Sequence, residues 1–371
     1  QHLAVTFLMA IGSNLSALWI LIANGWMQNP IGAVFSPETM RMEMTSFAEV
    51  FLNPVAQVKF VHTVAAGYVT ASVFVMGISA WYILKRRDLA FARRSFAVAV
   101  GFGLASSLSV IVLGDESGYT LGDVQRVKLA AIEGEWKTEK APAAFTLFGF
   151  PSQTERETHA AVKIPGALGL IATRSLDRPI KGLSDLEKEH ELRIKSGQIA
   201  YEALIKIRGG DKSPETRAQF DAHSKDLGFG LLLKQFVADP AQATPEQIKA
   251  AAASTIPTVW PLFWSFRVMV GLGFVMLLMF VIGFYLNAAK RLEQHRWYLW
   301  LALLMIPAPW IASEAGWFVA EFGRQPWAIG EVLPTFLATS SLTSADLIFS
   351  LTGFLLFYTL LLVIELFLMV K

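Results

Sequence analysis

VWPLFWSFRVMVGLGFVMLLMFVIGFYLN, residues 259–287, is a long apolar run that contains a single charged residue, Arg267. A helix needs about 20 mainly apolar residues to cross a hydrocarbon core about 30 Å thick. This stretch exceeds that length and therefore predicts a membrane-spanning helix. Further stretches meet the same criterion, so the sequence predicts an all-α polytopic membrane protein with six transmembrane helices, near residues 3–24, 55–84, 95–113, 259–287, 297–321 and 345–370.

The composition agrees with this class of protein. Of 371 residues, 54% are hydrophobic and 17% are charged, whereas soluble domains carry about 25% charged residues. Cys is absent, which excludes disulfides, thiolate metal sites and Cys nucleophiles. A net charge of +2 without a basic tract gives no indication of nucleic-acid binding. The chain begins at Gln1 without the features of a signal peptide, and we expect that upstream sequence is missing.

Two short loops rich in Lys and Arg predict the orientation. The loop after the second span contains Lys85, Arg86, Arg87, Arg93 and Arg94, and the loop after the fourth contains Lys290, Arg291 and Arg296. Such loops collect on the cytoplasmic side of a membrane. We therefore expect three spans within residues 1–114, an external domain at 115–258, and three further spans within 259–371.

The polar insert at 115–258 is predicted to be mixed and mainly helical. The capping-box pattern at 184–187 predicts a helix that starts there and ends near Ile207. Ser213-Pro214 and Thr244-Pro245 each place a capping residue before a Pro at the first helical position. Gly228 is predicted to end the helix that begins at Pro214.

Ionisable residues inside a span are costly and are functional candidates by default. His62 lies about 8 residues, or roughly 12 Å, from the outer end of its span. Met269 lies about 10 residues, or roughly 15 Å, from the outer end of another span, two residues after Arg267. A His and a Met at similar depth could ligate one low-spin haem, and Arg267 could pair with a haem propionate or with a carboxylate. A hydrogen-bonded buried His and a Met that only packs are the alternatives.

The stretch EAGWFVAEFGRQPW, residues 314–327, places Glu314 and Glu321 on one helix face with Trp317 between them. A buried carboxylate pairs with a cation, takes up a proton or ligates a metal. An ion pair between Glu321 and Arg324 and a haem-ligating or proton-handling role both remain open. The Pro-Ala-Pro sequence at 307–309 predicts a kink earlier in the same span.

Lys128 and Glu133 follow the third span in the segment KLAAIE. Charged residues at a membrane exit are usually solvated, which is one interpretation. The other is that Lys128 and Glu133 bind the oxygens of a quinol from the bilayer and accept its protons.

Five segments together resemble subunit I of the cytochrome bd quinol oxidases. They are GSNLSALWILIANGWMQNP (12–30), VKFVHTVAAGYV (58–69), VLGDESGY (112–119), KLAAIE (128–133) and WFVAEFGRQPWAIGEVLP (317–334). The resemblance covers essentially the whole chain, and the GRQPW stretch is its most specific part. It implies a haem-containing quinol:oxygen oxidoreductase of the bacterial cytoplasmic membrane that oxidises quinol and reduces oxygen to water.

The resemblance also implies roles for individual residues. His62 and Met269 match the axial ligands of a low-spin haem b, and Glu321 matches the ligand of a high-spin haem b. Lys128 and Glu133 match quinol-binding positions in an external loop called the Q-loop.

Further residues match positions close to the haems. Arg267 resembles an arginine beside the low-spin haem, and Trp317 resembles an aromatic residue between haems. Glu314 is a candidate for proton handling, and Arg324 would balance charge near propionates.

The chain departs from the family in the number of its spans. Subunit I normally has nine, so the resemblance implies the C-terminal two-thirds of the subunit, without its first three helices. The His ligand of haem d would lie in that N-terminal part, which leaves oxygen reduction by this chain alone in doubt. The expected partners are a second large subunit and a small single-span subunit, with quinol and oxygen as substrates.

Two other functions compete with this interpretation. A quinone-linked membrane cytochrome b without oxygen reduction typically uses two His pairs, and only one His lies within a predicted span. A secondary transporter with an external domain would show inverted repeats and helices broken at the midplane.

Overall fold

The computed structural model describes residues 1–370, and helices dominate it. The α-helices are α1 (His2–Gln28), α2 (Phe47–Phe51), α3 (Pro54–Leu84), α4 (Leu89–Val124), α5 (Arg126–Glu133), α6 (Ala167–Thr173), α7 (Leu183–Arg208), α8 (Pro214–His223), α9 (Leu227–Leu232), α10 (Pro245–Ala253), α11 (Val259–Ala288), α12 (Arg296–Leu304), α13 (Ala308–Phe322) and α14 (Ser344–Val370). The strands form antiparallel pairs: β1 (Ala33–Ser36) with β2 (Arg41–Met44), β3 (Phe145–Ser152) with β4 (Glu157–Ile164), and β5 (Trp327–Ile329) with β6 (Leu333–Pro334).

Six helical segments of residues 1–370 are long and apolar enough to cross a bilayer, as predicted. They are α1, α2 with α3, α4, α11, α12 with α13, and α14. The first five belong to one compact unit, Gln1–Thr335, together with the polar insert. A second unit starts at Phe336 and contains α14, a continuous apolar helix of 27 residues.

The membrane core of the first unit lies where α3, α4, α11 and α12 meet. Met76, Phe96, Phe280 and Tyr298 are completely buried there. The Tyr298 hydroxyl donates a hydrogen bond of 2.7 Å to the carbonyl oxygen of Met279, which satisfies the polar end of this ring. Close side-chain packing of this kind associates helices in a bilayer, because lipid tails are as apolar as the side chains.

The third span is longer than the sequence predicts. Helix α4 continues to Val124 instead of ending at 113, and it carries Asp115 and Glu116 beyond the apolar segment. Arg174 of the insert forms ion pairs with both, at 2.6 Å to Asp115 and 3.2 Å to Glu116. The charged turn that marks the end of the apolar run is therefore part of the helix, and its charges are paired.

The fifth span is interrupted, as the Pro-Ala-Pro sequence at 307–309 predicts. Helix α12 ends at Leu304, and α13 begins at Ala308. Proline lacks the backbone N–H that would continue the helical bonding, and its ring collides with the preceding turn. After the break, α13 packs against α3 and α11.

The two loops rich in Lys and Arg lie at the same end of the bundle. Nε of Arg93, at the start of α4, donates a hydrogen bond of 2.5 Å to Glu293, between α11 and α12. This contact agrees with the orientation argument, which requires both loops to be on one side of the membrane.

The polar insert is mixed and mainly helical, as predicted, and two of its predicted caps are confirmed. Ser213 accepts a hydrogen bond from the backbone N–H of Thr216 at the start of α8. Thr244 forms a complete capping box with Gln247 at the start of α10. The β3–β4 hairpin packs beside α11 and was not located from the sequence.

The predicted start of α7 at Ser184 is wrong. Helix α7 begins at Leu183, and its N-cap residue is Gly182, which has no side chain to form a cap. The backbone N–H groups of Leu183 and Ser184 instead donate to the carbonyl oxygens of Glu135 and Trp136, at 2.9 and 3.0 Å. A neighbouring segment thus satisfies the free donors of the first turn, so a side-chain cap is not needed.

The predicted role of Gly228 is also wrong. Helix α8 ends at His223, and Gly228 lies inside α9. A Cβ atom at Gly228 would lie 2.1 Å from the carbonyl oxygen of Glu331. Gly228 therefore allows a close backbone approach and does not end a helix.

A second close approach, between α7 and α9, gives a prediction about stability. A Cβ atom at Gly197 would lie 2.1 Å from the carbonyl oxygen of Asp226 and 2.4 Å from the backbone nitrogen of Gly230. We expect Gly197→Ala to destabilise the polar insert by about 1–3 kcal/mol, because the two helices must separate. Thermal unfolding of the purified protein measures this, with Gly209→Ala as the control, since the nearest atom there is 3.3 Å away. Equal midpoints for the two variants would contradict this packing.

Candidate functional site

Helix α5 lies where the polar insert, residues 115–258, meets the membrane spans. It packs against α11 and α13, and its residues from Lys128 to Glu133 are all buried. The helix ends at Gly134, which has a positive φ of 66° and so adopts a left-handed conformation that favours glycine. A buried Lys and a buried Glu on one short helix both require partners, because an unpaired charge is costly away from water.

Glu133 and Arg267 form a buried pair. Glu133 is 1% exposed, and its Oε2 atom lies 3.7 Å from Nη2 of Arg267. The same oxygen accepts a hydrogen bond of 3.0 Å from the backbone N–H of Thr146 on β3. Nη1 of Arg267 donates to the carbonyl oxygens of Ile132, at 2.5 Å, and Phe263, at 3.0 Å, and its Nη2 donates to that of Thr146. Arg267 thereby connects α11 to α5 and to β3.

Burial raises the pKa of the Glu133 carboxyl to about 7, because loss of water penalises its charged form. The Arg267 charge and the Thr146 amide act in the opposite direction and favour the carboxylate. Protonated and ionised forms are therefore both populated near neutral pH. A carboxyl with this pKa is suited to accept a proton from a substrate and to release it again.

Lys128 faces a different set of partners. Five positions along an α-helix correspond to about 140° around its axis, so Lys128 and Glu133 point away from each other. The Lys128 ammonium donates to Oε1 of Gln28 at 2.7 Å, to Oε1 of Gln125 at 2.8 Å and to the carbonyl oxygen of Ala320 at 2.9 Å. Burial holds the pKa of Lys128 well below its usual value.

Glu321 is the central acceptor of a polar cluster that joins α1, α3 and α13. Its Oε1 accepts a hydrogen bond of 2.8 Å from Nδ2 of Asn24 and lies 3.4 Å from Nε2 of Gln28. Its Oε2 accepts one of 2.6 Å from Nη2 of Arg324, so the ion pair considered from the sequence is present. Lys59 joins the cluster through a hydrogen bond of 2.8 Å to Oδ1 of Asn24.

The cluster has a surplus of positive charge. Lys59, Lys128 and Arg324 surround the single carboxylate of Glu321. Nε and Nη1 of Arg324 are buried without a hydrogen-bond partner among residues 1–370. Free guanidinium donors beside surplus positive charge suit an anionic group, and the propionates of a haem fit this donor set.

His62 and Met269 come from α3 and α11, which both pack against α4 and α13. Nδ1 of His62 is buried and has no hydrogen-bond partner in the described part of the chain. A Cβ atom at Gly114 of α4 would lie 3.5 Å from the His62 ring, and one at Gly316 of α13 would lie 2.9 Å from Sδ of Met269. Each candidate ligand therefore has a glycine against it, and the unpartnered ring nitrogen of His62 and the thioether of Met269 are the donor types that bind haem iron.

No multidentate metal site accompanies these residues. Over residues 1–370, no group of three or more His, Cys, Asp or Glu side chains converges on one point. The candidate ligands His62, Met269 and Glu321 are single side chains on three helices, which is the pattern of axial ligation to a haem iron.

Glu314 and Trp317 differ from Glu321 in their contacts. Trp317 is 38% exposed, and the Lys59 ammonium lies 5.8 Å from its ring centroid. Glu314 is exposed and makes no ion pair within residues 1–370. Only Glu321 of the two carboxylates enters the polar cluster.

A cavity of about 1010 Å³ adjoins the polar cluster. Gln28, Gln125, Lys128 and Arg324 line it, together with residues of α7 and α9. Its volume is at the upper limit of the range of small-molecule sites, roughly 300–1,000 Å³. Of the two predicted quinol-binding residues, Lys128 lines this cavity and Glu133 does not.

Sequence reasoning missed several members of the site. Lys59 is an ionisable residue within a predicted span, and the rule that selected His62 applies to it equally. Gln28, Gln125 and Glu135 had no such signal, because their roles depend on which helices and strands meet at α5.

Fold and site together define a polytopic helical membrane protein whose polar insert shares buried charges with its spans. The whole chain, residues 1–371, matches the family described as Cytochrome bd terminal oxidase subunit I. The chain belongs to this family of membrane-bound, haem-containing quinol:oxygen oxidoreductases, and it is a subunit of a terminal quinol oxidase.

Two relatives show the extent of the similarity. The chain is 50% identical over 371 residues to Cytochrome bd-II ubiquinol oxidase subunit 1 of Escherichia coli (strain K12), and the match covers all of this chain and 72% of the relative. It is 31% identical over 372 residues to Cytochrome bd ubiquinol oxidase subunit 1 of Bacillus subtilis (strain 168), and the match covers all of this chain and 67% of the relative.

A solved structure supports the fold. The bd oxidase from Geobacillus thermodenitrificans matches with a TM-score of 0.68 at 24% identity, over 98% of this chain and 67% of the other. The family assignment decides between the three functions considered from the sequence and excludes the transporter. That three further helices precede Gln1 stays a prediction.

Proposed function

We propose that this chain oxidises quinol where α5 meets α11, on the external side of the membrane, and passes the electrons to a low-spin haem b held by His62 and Met269. Residues 115–258 would form the Q-loop domain between the two groups of spans. The external position follows from the Lys- and Arg-rich loops at the opposite end of the bundle. Two relatives are named ubiquinol oxidases, and we take ubiquinol as the quinol to test.

The observation that carries this proposal is the position of Arg267. Its guanidinium lies 3.7 Å from the carboxylate of Glu133, and it is two residues from Met269 on the same helix. A candidate proton acceptor and a candidate haem ligand are thus linked by one side chain. Oxidation of a quinol needs both functions close together, because each electron that leaves makes the quinol a stronger acid.

Glu133 would accept the protons of the quinol. Its hydrogen bond from Thr146 and the charge of Arg267 orient the carboxylate and favour its ionised form. Because the pKa of Glu133 is raised to about 7, the accepting form becomes more populated as the pH rises through that value. The rate of quinol oxidation should therefore increase from pH 6 to pH 8.

Haem supplies one-electron chemistry at its iron when it is bound. His62 and Met269 would hold the low-spin haem, and Arg267 would supply a positive charge for it. Trp317 would lie between this haem and a high-spin haem b whose ligand is Glu321, with Arg324 pairing with propionates. Lys128 would fix α13 through the Ala320 carbonyl and line the external cavity.

The remaining steps rest on the family. Glu314 would handle protons for oxygen reduction, for which a haem d would supply the chemistry. A second large subunit and a small single-span subunit would complete the enzyme in the bacterial cytoplasmic membrane.

Replacing Glu133 by Gln tests the proposed function directly. We expect ubiquinol to reduce the low-spin haem of the complete oxidase at least about 100-fold more slowly in Glu133→Gln, because the proton acceptor is lost while the shape of the side chain is kept. Anaerobic stopped-flow mixing with ubiquinol measures this, and dithionite should reduce the same haem to the same extent in both proteins. Wild-type reduction by ubiquinol in Glu133→Gln would contradict the proposal.

A further inference from the structure

A chain of polar contacts leads from Glu133 towards the surface of the external domain. Thr146 donates its backbone N–H to Glu133 at 3.0 Å and its hydroxyl to Glu135 at 3.2 Å. The ammonium of Lys163 donates to Glu135 at 2.6 Å and to Glu139 at 2.9 Å. Each residue of this series contacts the next one. None of these four contacts involves α11 or the membrane spans.

Exposure increases along this chain of contacts. Glu133 is 1% exposed and Glu135 is 7% exposed, whereas the side chain of Glu139 is 21% exposed and that of Lys163 is 33% exposed. The series of contacts therefore begins at the buried carboxyl of Glu133 and ends at Glu139 and Lys163, which reach water.

Two local features assemble these residues. Gly134, in its left-handed conformation, ends α5 and separates Glu133 from Glu135, so that both carboxylates contact Thr146. The register of the hairpin pairs Thr146 on β3 with Lys163 on β4, which brings the ammonium beside Glu135. The arrangement thus depends on the end of one helix and on the register of one hairpin.

The charges around Glu135 allow it to exchange protons near neutral pH. Burial raises the pKa of Glu135 to about 7, and the hydrogen bond and charge of Lys163 oppose this shift. Glu139 and Glu133 add negative charge on either side, and Arg267 adds a positive charge from α11. Glu133 and Glu135 therefore lie at similar pKa values, and neither carboxyl traps a proton from the other.

We propose that Glu135, together with Thr146, Lys163 and Glu139, forms the route by which protons leave the quinol site for the external solvent. This inference rests on the proposed function of Glu133. Oxidation of one quinol releases two electrons to the haem side and two protons, which Glu133 accepts one at a time. Each proton passes from Glu133 to the Glu135 carboxylate, which Thr146 holds beside it through its backbone N–H to Glu133 and its hydroxyl to Glu135, and then to water at Lys163 and Glu139. Glu133 is thereby ionised again for the next proton.

The alternative is that Glu135 and Lys163 only hold the hairpin in place. A purely structural ion pair would affect assembly or stability, but it would not make turnover depend on an added proton carrier. The test therefore needs a readout that responds to proton transfer and not to stability.

The variant to make is Glu135→Gln in the complete oxidase. We expect ubiquinol oxidation at pH 7 to fall at least about tenfold, since loss of a positioned proton-transfer group costs this much or more. The haem spectrum and reduction by dithionite should be unchanged. Millimolar 2,4-dimethylimidazole, whose methyl groups hinder binding to iron, should restore at least half of the lost rate by carrying the proton instead.

Two further variants test the same route and provide a control. Thr146→Val removes the hydroxyl and keeps the backbone N–H, so it should slow turnover and respond to the same base. Glu187→Gln removes a carboxylate of the external domain that pairs with Arg156 at 2.8 Å, away from the route, and should behave as wild type. If Glu135→Gln does not assemble, Thr146→Val decides the question alone.

The outcomes distinguish the proposed proton route through Glu135, called the relay below, from the proposed quinol site at Glu133. Wild-type turnover in Glu135→Gln, or a loss that the added base does not restore, would overturn the relay. Slow oxidation in Glu133→Gln with normal oxidation in Glu135→Gln would also overturn the relay, while the quinol site would stand. Normal reduction of the haem by ubiquinol in Glu133→Gln would instead overturn the quinol site.

Discussion

His62→Ala is expected to remove the low-spin haem b completely from the dithionite-reduced minus air-oxidised spectrum of the purified protein, and Met269→Ala is expected to have the same effect. Low-spin iron needs two strong axial ligands, so loss of either one removes the low-spin signal even if some haem stays bound. The structure supports both assignments, since His62 has an unpartnered buried nitrogen and Met269 lies against Gly316.

Controls for this experiment come from the same chain. Met276 lies two turns after Met269 on α11 and is 5% exposed, so Met276→Ala creates a cavity without removing a candidate ligand. His295→Ala changes a His outside the spans, in the loop before α12. Both should keep the low-spin signal. Retention of that signal in His62→Ala or in Met269→Ala would show that the residue concerned is not an axial ligand.

Much of the fold could be predicted because its determinants are local. An apolar run of sufficient length specifies a span wherever it occurs, and the Pro-Ala-Pro sequence at 307–309 breaks a helix by its own chemistry. Ser213 and Thr244 act as caps because each is followed by a Pro at the first helical position. These features need no information about distant parts of the chain.

The wrong predictions concern positions where distant segments meet. Gly182 replaces Ser184 as the N-cap of α7, because carbonyl groups of the segment after α5 satisfy the first turn. Gly228 lies where the backbone of Glu331 approaches, and α4 continues past 113 with its charges paired to Arg174. None of these contacts is encoded in the local pattern that led to the prediction.

The candidate site also combines residues that local sequence identifies with residues whose roles depend on contacts between distant segments. His62, Met269 and Glu321 could be identified as candidates from the sequence alone, because ionisable or sulfur-bearing residues are conspicuous in a membrane span. The separation of Lys128 from Glu133 could also have been derived, since five positions on a helix place two side chains about 140° apart. The partners of Glu135 could not, because they depend on the register of the β3–β4 hairpin.

Glu321→Ala is expected to remove the high-spin haem b signal and to lower oxygen consumption of the complete oxidase at least about 100-fold. The carboxylate is the proposed iron ligand, and it is also the counter-charge of the cluster. Its loss leaves Lys59, Lys128 and Arg324 without a negative partner, and an uncompensated buried charge can destabilise a protein by about 3–5 kcal/mol. A missing haem could therefore reflect either ligation or simple instability, and the single variant does not separate the two.

The double variant Glu321→Ala with Lys59→Met separates these causes. Removing the Lys59 ammonium lowers the surplus positive charge and removes its hydrogen bond of 2.8 Å to Asn24 and its contact of 5.8 Å with the Trp317 ring. If Glu321 ligates iron, the double variant should regain stability in thermal unfolding while the high-spin signal stays absent, because no other carboxylate lies in the cluster among residues 1–370. Recovery of the high-spin signal in the double variant would show that Glu321 acts as a counter-charge and that the iron ligand is another residue.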